Sequence, residues 1–273
     1  MIGFNNGSYS PVKDITIRAD SLAVNRGFGA YDFFSVINGK PFYLNRHLNR
    51  FIRTLELLKF ENEHLNHLER IVHNIIELND LTKPYGIKLF ALPTEENNPP
   101  LNCDLYFFPT PLIEFTENDY LKGCSLILRE YKRFIPEAKS TNYLASQYYK
   151  TEMDKINAVD VLYHDKGFVR ETSRGNLFLV KNNVIYTAKN EVLKGITQSV
   201  LFDIMNQEDI PFKIEDLSVE RLKDADEVFV SSSTKLVLPI VNIDEEKIGN
   251  GTPGKLSKKL LKLFLKHKEE YCK

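Results

Sequence analysis

The chain has 273 residues, 42% of them hydrophobic, with 36 basic and 37 acidic side chains and a net charge of -1. That length suits one large domain or two ordinary ones, and the charge balance gives no electrostatic reason to expect nucleic acid or an anionic membrane as partner. Three cysteines without a C-x-x-C pair argue against a disulfide framework or a structural zinc. With no signal-peptide pattern at Met1–Gly7 and no apolar run near ~20 residues, a soluble cytoplasmic protein is expected.

In chain order, residues 1–43 alternate short strand-like runs with turns, and Asn38-Gly39-Lys40-Pro41 reads as a hairpin. Leu44, Leu48, Phe51, Ile52, Leu55 and Leu58 recur at helical spacing, with Asn45 as the expected N-cap. Leu65, Leu68, Ile71, Val72, Ile75 and Ile76 predict a second helix that stops near Asn79-Asp80. Strands follow over 85–92 and 104–108. The proline-bearing stretch 109–119 reads as a boundary, giving a smaller domain over 1–113 and a larger one over 114–273. The second half predicts a strand over 124–130, a helix over about 141–156, and hairpins over 160–169 and 176–186. A helix after Gly195, a strand over 227–230 and a last helix from Thr252-Pro253 to about Tyr271 complete it. Strands grouped with a few helices, without strict alternation, indicate an α+β architecture.

Several residues carry chemical promise. Lys139 lies among small and neutral polar neighbours in Ala138-Lys139-Ser140-Thr141-Asn142. Free lysine titrates near ~10.4, so a reactive one needs a desolvated site or a neighbouring cation. Glu171 opens a polar turn, Thr172–Gly175, before an apolar strand. Lys194-Gly195-Ile196-Thr197 precedes a helix whose exposed N–H groups, with the Thr197 hydroxyl as cap, suit a phosphate. Ser231-Ser232-Ser233-Thr234 offers hydroxyls at a strand end. Taken alone, these are an ordinary capped loop and a polar strand exit, and Arg50 is a solvated helix arginine. Together they supply a Schiff-base lysine, an acid for a ring nitrogen and a phosphate cradle. His64, His67 and His73 are spaced too loosely to suggest a metal, and none is expected. The lysine-rich last helix reads as amphipathic, one face on a core and one in water.

In their order along the chain, Arg26-Gly27-Phe28-Gly29-Ala30-Tyr31-Asp32, His47-Leu48-Asn49-Arg50, Lys139–Leu144, Glu171–Phe178, Leu193–Thr197, Ala225–Ser233 and Gly249–Gly254 resemble the class IV aminotransferases. These are the pyridoxal-phosphate enzymes of fold type IV, which include branched-chain and D-amino-acid aminotransferases and aminodeoxychorismate lyase. The resemblance implies a small α/β sandwich N-domain and a larger barrel-like C-domain, pyridoxal 5'-phosphate as cofactor, and a homodimer. It makes Lys139 the Schiff-base lysine and proton carrier, and Glu171 the partner of the pyridine nitrogen. Arg50, Gly195, Ile196, Thr197 and Ser233 would hold the phosphate, with Ser232 or Thr234 able to replace Ser233. Tyr143 would border the cofactor, Asn176 would orient the turn behind Glu171, and Tyr31, Asp32, Phe33, Phe34 and Ser35 would line the substrate pocket.

The pattern departs in three places. Phe28 stands where the family's first motif carries an acid. The loop Pro93–Asn102 lacks the arginine or histidine that grips a substrate carboxylate in the D-amino-acid and lyase branches. Gln198 stands where an arginine often follows Gly-Ile-Thr. Arg129, Lys132 and Arg133 read as either a replacement clamp or a solvated loop. Three functions are therefore weighed: transamination of a small amino acid with a 2-keto acid, a lyase of the 4-amino-4-deoxychorismate type, and a cofactor-binding protein without turnover.

Overall fold

Alternation of buried and half-buried residues in Ala30–Ile37, Tyr85–Pro93 and Leu101–Pro111 builds the long antiparallel strands of the first of two units. The computed structural model describes residues 1–94 and 98–273. The first unit comprises Met1–Leu112, Ala138–Asn142 and Tyr271–Lys273, and the second comprises Ile113–Glu137 and Tyr143–Glu270.

The first unit's strands are β1 (Ile2–Asn5), β2 (Ser8–Pro11), β3 (Ala30–Ile37), β4 (Lys40–Pro41), β5 (Phe60–Glu61), β6 (Tyr85–Pro93) and β7 (Leu101–Pro111). They pair in the order β2-β1-β7-β6-β3-β4, with β5 beside β7. Helices α1 (Leu22–Arg26), α2 (Leu44–Leu58) and α3 (Leu68–Asn79) accompany them. Phe51, Leu55, Val72 and Ile75 from α2 and α3 are buried with Phe34, Ile87, Leu89 and Phe107 from the sheet. The cap of α2 is Tyr43 in left-handed geometry, φ 53°, with no side-chain bond, and Asn45 lies inside the helix rather than capping it.

Residues 138–142 belong to this unit because backbone bonds fasten them there. Tyr31 N–H donates to the Lys139 carbonyl at 2.9 Å, and Thr141 N–H donates to the Gly29 carbonyl at 2.8 Å. Tyr271 joins through its ring, stacked on Tyr43 with centroids 4.4 Å apart. A boundary read from composition alone keeps both segments with residues 114–273. These returns are contacts between residues far apart in sequence, which no local pattern records.

The second unit contains α4 (Glu117–Lys122), β8 (Cys124–Glu130), α5 (Leu144–Tyr148), α6 (Lys150–Lys155), β9 (Ala158–Asp165), β10 (Phe168–Thr172), β11 (Gly175–Lys181) and β12 (Val184–Thr187). It continues with α7 (Ile196–Gln207), β13 (Phe212–Ile214), β14 (Leu217–Ser218), α8 (Glu220–Lys223), β15 (Glu227–Ser232), β16 (Leu236–Ile243), β17 (Glu246–Lys247) and all but the last residue of α9 (Lys255–Tyr271). Strands β11, β15, β16, β8, β9 and β10 pair in succession, and β10 pairs back onto β11. Six strands thus close a barrel, which removes the central sheet's open edges. Leu126, Leu162, Leu177, Leu179, Val230 and Leu238 are among the residues of its core cluster.

Three elements differ from the sequence expectation. The helix expected over 141–156 is two short ones, separated at Tyr149 (φ -81°, ψ 1°). Residues 117–122, which begin inside the expected boundary stretch of 109–119, form a helix because Thr116 and Asp119 make a reciprocal capping box. The last helix begins at Lys255 rather than at Thr252-Pro253. Its first N–H groups, from Leu256 and Ser257, are accepted by the Glu227 carboxylate at 2.9 Å each, so a strand residue does the capping. Among the described residues no helix is long and apolar enough to cross a membrane.

Candidate functional site

The pleat of β3 sorts the three neighbours Tyr31, Asp32 and Phe33, since successive strand side chains point to opposite faces. Ala30, Asp32, Phe34 and Val36 are buried, and the Phe34 ring lies 5.5 Å from that of His47 on α2. Tyr31 takes the other face, stacked on Phe90 at 6.0 Å, and Phe33 shares it. The expectation that Asp32, Phe34 and Ser35 line a substrate pocket beside Tyr31 and Phe33 is therefore corrected: all three are buried, and the Asp32 carboxylate is turned toward α2.

There Asp32 is 0% exposed and fully engaged. Arg50 donates from Nε to Oδ2 and from Nη2 to Oδ1, each at 2.8 Å, and His47 Nδ1 lies 2.7 Å from Oδ1. Burial alone would raise the Asp32 pKa, but the Arg50 guanidinium, with His47, overrides it and holds the carboxyl well below the usual carboxylate range. Burial lowers the His47 pKa, and Arg50 and Lys139 add to that against the opposing pull of Asp32. His47 is thus neutral near pH 7, and Arg50 is the charge that keeps Asp32 ionised. An ionised carboxylate only accepts, so Nδ1 carries the histidine proton. Arg50, read from sequence as a solvated helix arginine when taken alone, is 12% exposed and sits on the packed face of its helix.

Lys139 is held by its backbone. Its N–H donates to the Thr54 hydroxyl at 3.1 Å, and that hydroxyl donates to the Arg50 carbonyl at 2.9 Å. Thr54 thereby ties Lys139 to the helix that carries Arg50. The Lys139 Nζ lies 4.5 Å from the centre of the Tyr31 ring, within cation–π range. Sequence reasoning missed Thr54, which is fully buried; its place on the stripe of Phe51, Leu55 and Leu58 was the available signal.

In the second unit, Glu171 and Asn176 are cross-strand partners on β10 and β11, and both hold Leu193. Its N–H donates to Glu171 Oε2 at 3.0 Å, and its carbonyl accepts from Asn176 Nδ2 at 2.8 Å. Arg133 donates to Glu171 Oε1 from Nε at 2.9 Å and from Nη2 at 2.6 Å. Arg129 pairs with Glu152 at 2.6 Å and Asp244 at 2.9 Å, and Lys132 pairs with Glu191 at 2.5 Å. All three cations are paired with the chain's own carboxylates, and Lys132 is exposed. The pairing of Arg133 with Glu171 is one that the sequence did not single out.

Leu193 leads into the start of α7, whose N-cap is Gly195 with no side-chain cap bond. Thr197 is the second helical residue, not the cap, and it is buried together with Ile196 and Gln198. Gln198 turns inward, donating to Thr187 Oγ1 at 3.2 Å. Gly195 has φ -71°, so its lack of a side chain serves space rather than backbone freedom. A Cβ there would fall 2.1 Å from Asn176 Oδ1. Ser231 is the cross-strand partner of Asn176 on β15 and shares its face; its Oγ is buried with no hydrogen-bond partner among the described residues. An uncapped helix start, a position emptied of side chain and an orphaned buried hydroxyl together fit a phosphate. Ser232, also expected to bind it, accepts from Lys235 N–H at 3.0 Å, which closes the turn. Ser233 is half-buried in that turn. Tyr143, half-buried, stands at the start of α5, where its carbonyl accepts from the Ser146 hydroxyl at 3.0 Å. Of the loop expected to lack a substrate clamp, Glu95–Asn97 lie outside the described residues.

Comparison with known proteins gives one answer at the level of family. The model of the class IV aminotransferases matches residues 29–243. The D-alanine aminotransferase of Staphylococcus aureus (strain N315) is 30% identical, over 98% of this chain and 98% of its own length. The same-named protein of Listeria monocytogenes is 26% identical over 95% and 93%. Among solved structures, the branched-chain amino acid aminotransferase of T.th. with pyridoxamine 5'-phosphate superposes with a TM-score of 0.91 at 24% identity, covering 99% of this chain and 94% of that one. The Escherichia coli branched-chain enzyme does so with 0.89 at 22%, covering 97% and 93%. The chain belongs to the class IV aminotransferase family and has its fold. The relatives named are aminotransferases, which leaves the lyase alternative without support.

Proposed function

We propose that this enzyme uses pyridoxal 5'-phosphate to move an amino group from a small D-amino acid of the alanine type to a 2-keto acid. The donor rests on the curated relatives named D-alanine aminotransferase, and the cofactor on the family and on the pyridoxamine 5'-phosphate named with a structural neighbour. The observation that carries the reading is the placement of Lys139, fastened through both backbone groups, with its Nζ 4.5 Å from the Tyr31 ring.

When bound, the cofactor supplies an electron-withdrawing ring that makes the proton on the substrate Cα removable. Lys139 Nζ would remove that proton from Cα, and the Tyr31 ring limits where the amine can swing. Glu171, charge-paired with Arg133, would accept from the ring nitrogen. The phosphate is assigned to Arg50 and to the α7 start at Gly195, Ile196 and Thr197, with Ser231 and Ser233 as hydroxyl donors. Tyr143 borders the ring, and Asn176 holds the Leu193 loop. Tyr31 and Phe33 contact the substrate side chain, while Asp32 fixes Arg50. We also propose a cytoplasmic homodimer, which a single monomer-sized species in sedimentation at micromolar concentration would refute.

An absorbance screen of D- and L-amino acids against the purified holoprotein tests the donor. D-alanine should discharge the cofactor band fastest, and a faster response to an L-amino acid would overturn that assignment.

A further inference from the structure

The second unit contains one buried ion pair that none of the roles above uses. Asp160 on β9 is 0% exposed and Lys235, at the turn between β15 and β16, is 3% exposed. Lys235 Nζ donates to Asp160 Oδ2 at 2.8 Å. Asp160 Oδ1 accepts from the N–H of Val161 at 2.8 Å and from the Ser173 hydroxyl.

Each partner stands next to residues assigned to the cofactor. Ser173 is two residues past Glu171 and three before Asn176, and its N–H donates to the Val161 carbonyl at 3.1 Å. Lys235 closes the turn that holds Ser231–Ser233, through its own N–H to Ser232 Oγ at 3.0 Å. One carboxylate therefore ties the turn behind the ring-nitrogen acid to the turn behind the phosphate hydroxyls.

A buried ion pair is poor evidence of stability, because well-packed apolar residues often replace one without loss. Its attested use is to fix geometry. Here that geometry is the spacing of two turns that carry the ends of one ligand.

We propose that Asp160, Ser173 and Lys235 form a positioning network that sets the spacing between the Glu171 turn and the Ser231–Ser233 turn. The network touches neither cofactor nor substrate and acts through those turns. This rests on the cofactor assignment made above.

The test is a paired replacement, Asp160→Leu with Lys235→Met, which removes both charges together and leaves no single buried ion. Apoprotein is titrated with pyridoxal 5'-phosphate by absorbance, the bound phosphate is followed by 31P NMR, and the unfolding midpoint of the apoprotein is recorded. The expected result is an affinity about tenfold weaker or more, with a shifted 31P resonance and a cooperative unfolding transition retained. Wild-type affinity with an unmoved resonance would overturn the proposal, leaving the pair a purely structural feature. If the paired variant does not fold, Ser173→Ala removes only the hydroxyl arm. A weakened affinity and shifted resonance then support the network, and unchanged values overturn it. Failure of the wild-type chain to take up the cofactor would instead overturn the cofactor assignment itself.

Discussion

Asp32 and Arg50 meet through two hydrogen bonds of 2.8 Å, one to each carboxylate oxygen, with His47 completing the cluster. Removing the carboxylate leaves a largely buried guanidinium without its partner. Asp32→Asn is therefore expected to destabilise the chain by about 3–5 kcal/mol, read as a lower urea midpoint with an unchanged slope.

The same cluster predicts a pH dependence. The Asp32 pKa is depressed in the folded chain, so its contribution is complete above an unfolded value of ~3.9 and is lost as pH falls through the folded one. His47 is also depressed; its share begins to fall below ~6.5, where the unfolded imidazole takes up a proton first. Stability should thus decline from about pH 6.5 downward. Urea midpoints across pH 7 to 3 check this, and Asp32→Asn should flatten the acid end of the curve.

Glu171 carries the sharpest expectation for turnover. Glu171→Gln keeps the volume but removes the charge that faces Arg133 and, in the proposed role, the ring nitrogen. A fall in kcat/KM of about 10²-fold or more is expected, with the protein still folded by circular dichroism. Activity within a factor of three of wild type would remove Glu171 from that role.

Gly195 and Asn176 should behave as a coupled pair. Gly195→Ala drives a methyl group against Asn176 Oδ1 and is expected to cost about 1–3 kcal/mol. Adding Asn176→Ala frees that space, so the double variant should lose less than the sum of the two single changes. A double-mutant cycle by urea unfolding measures the coupling, and strict additivity would mean that Gly195 is not kept for space.

Much of the fold was legible because its signals are local. The 3.6-residue stripe of Leu44–Leu58 and the alternation in β6 are periodicities that any window shows, and the Lys139 and Glu171 motifs are contiguous. The pleat was equally available, yet reading Tyr31, Asp32 and Phe33 as one lining overlooked that a strand turns its middle residue away. What could not be read were partners far apart in sequence: Arg133 on Glu171, Lys235 on Asp160 and Glu227 on the start of α9. Each is a charge satisfied by tertiary contact. In the sequence each looks like one more solvated side chain.

The proposed chemistry depends most on a covalent role for one amine. Borohydride reduction of the holoprotein, followed by proteolysis and mass spectrometry, should place a pyridoxyl group on the peptide containing Lys139, and Lys139→Ala should carry none. A label on another lysine, or no label on the wild-type chain, would contradict it.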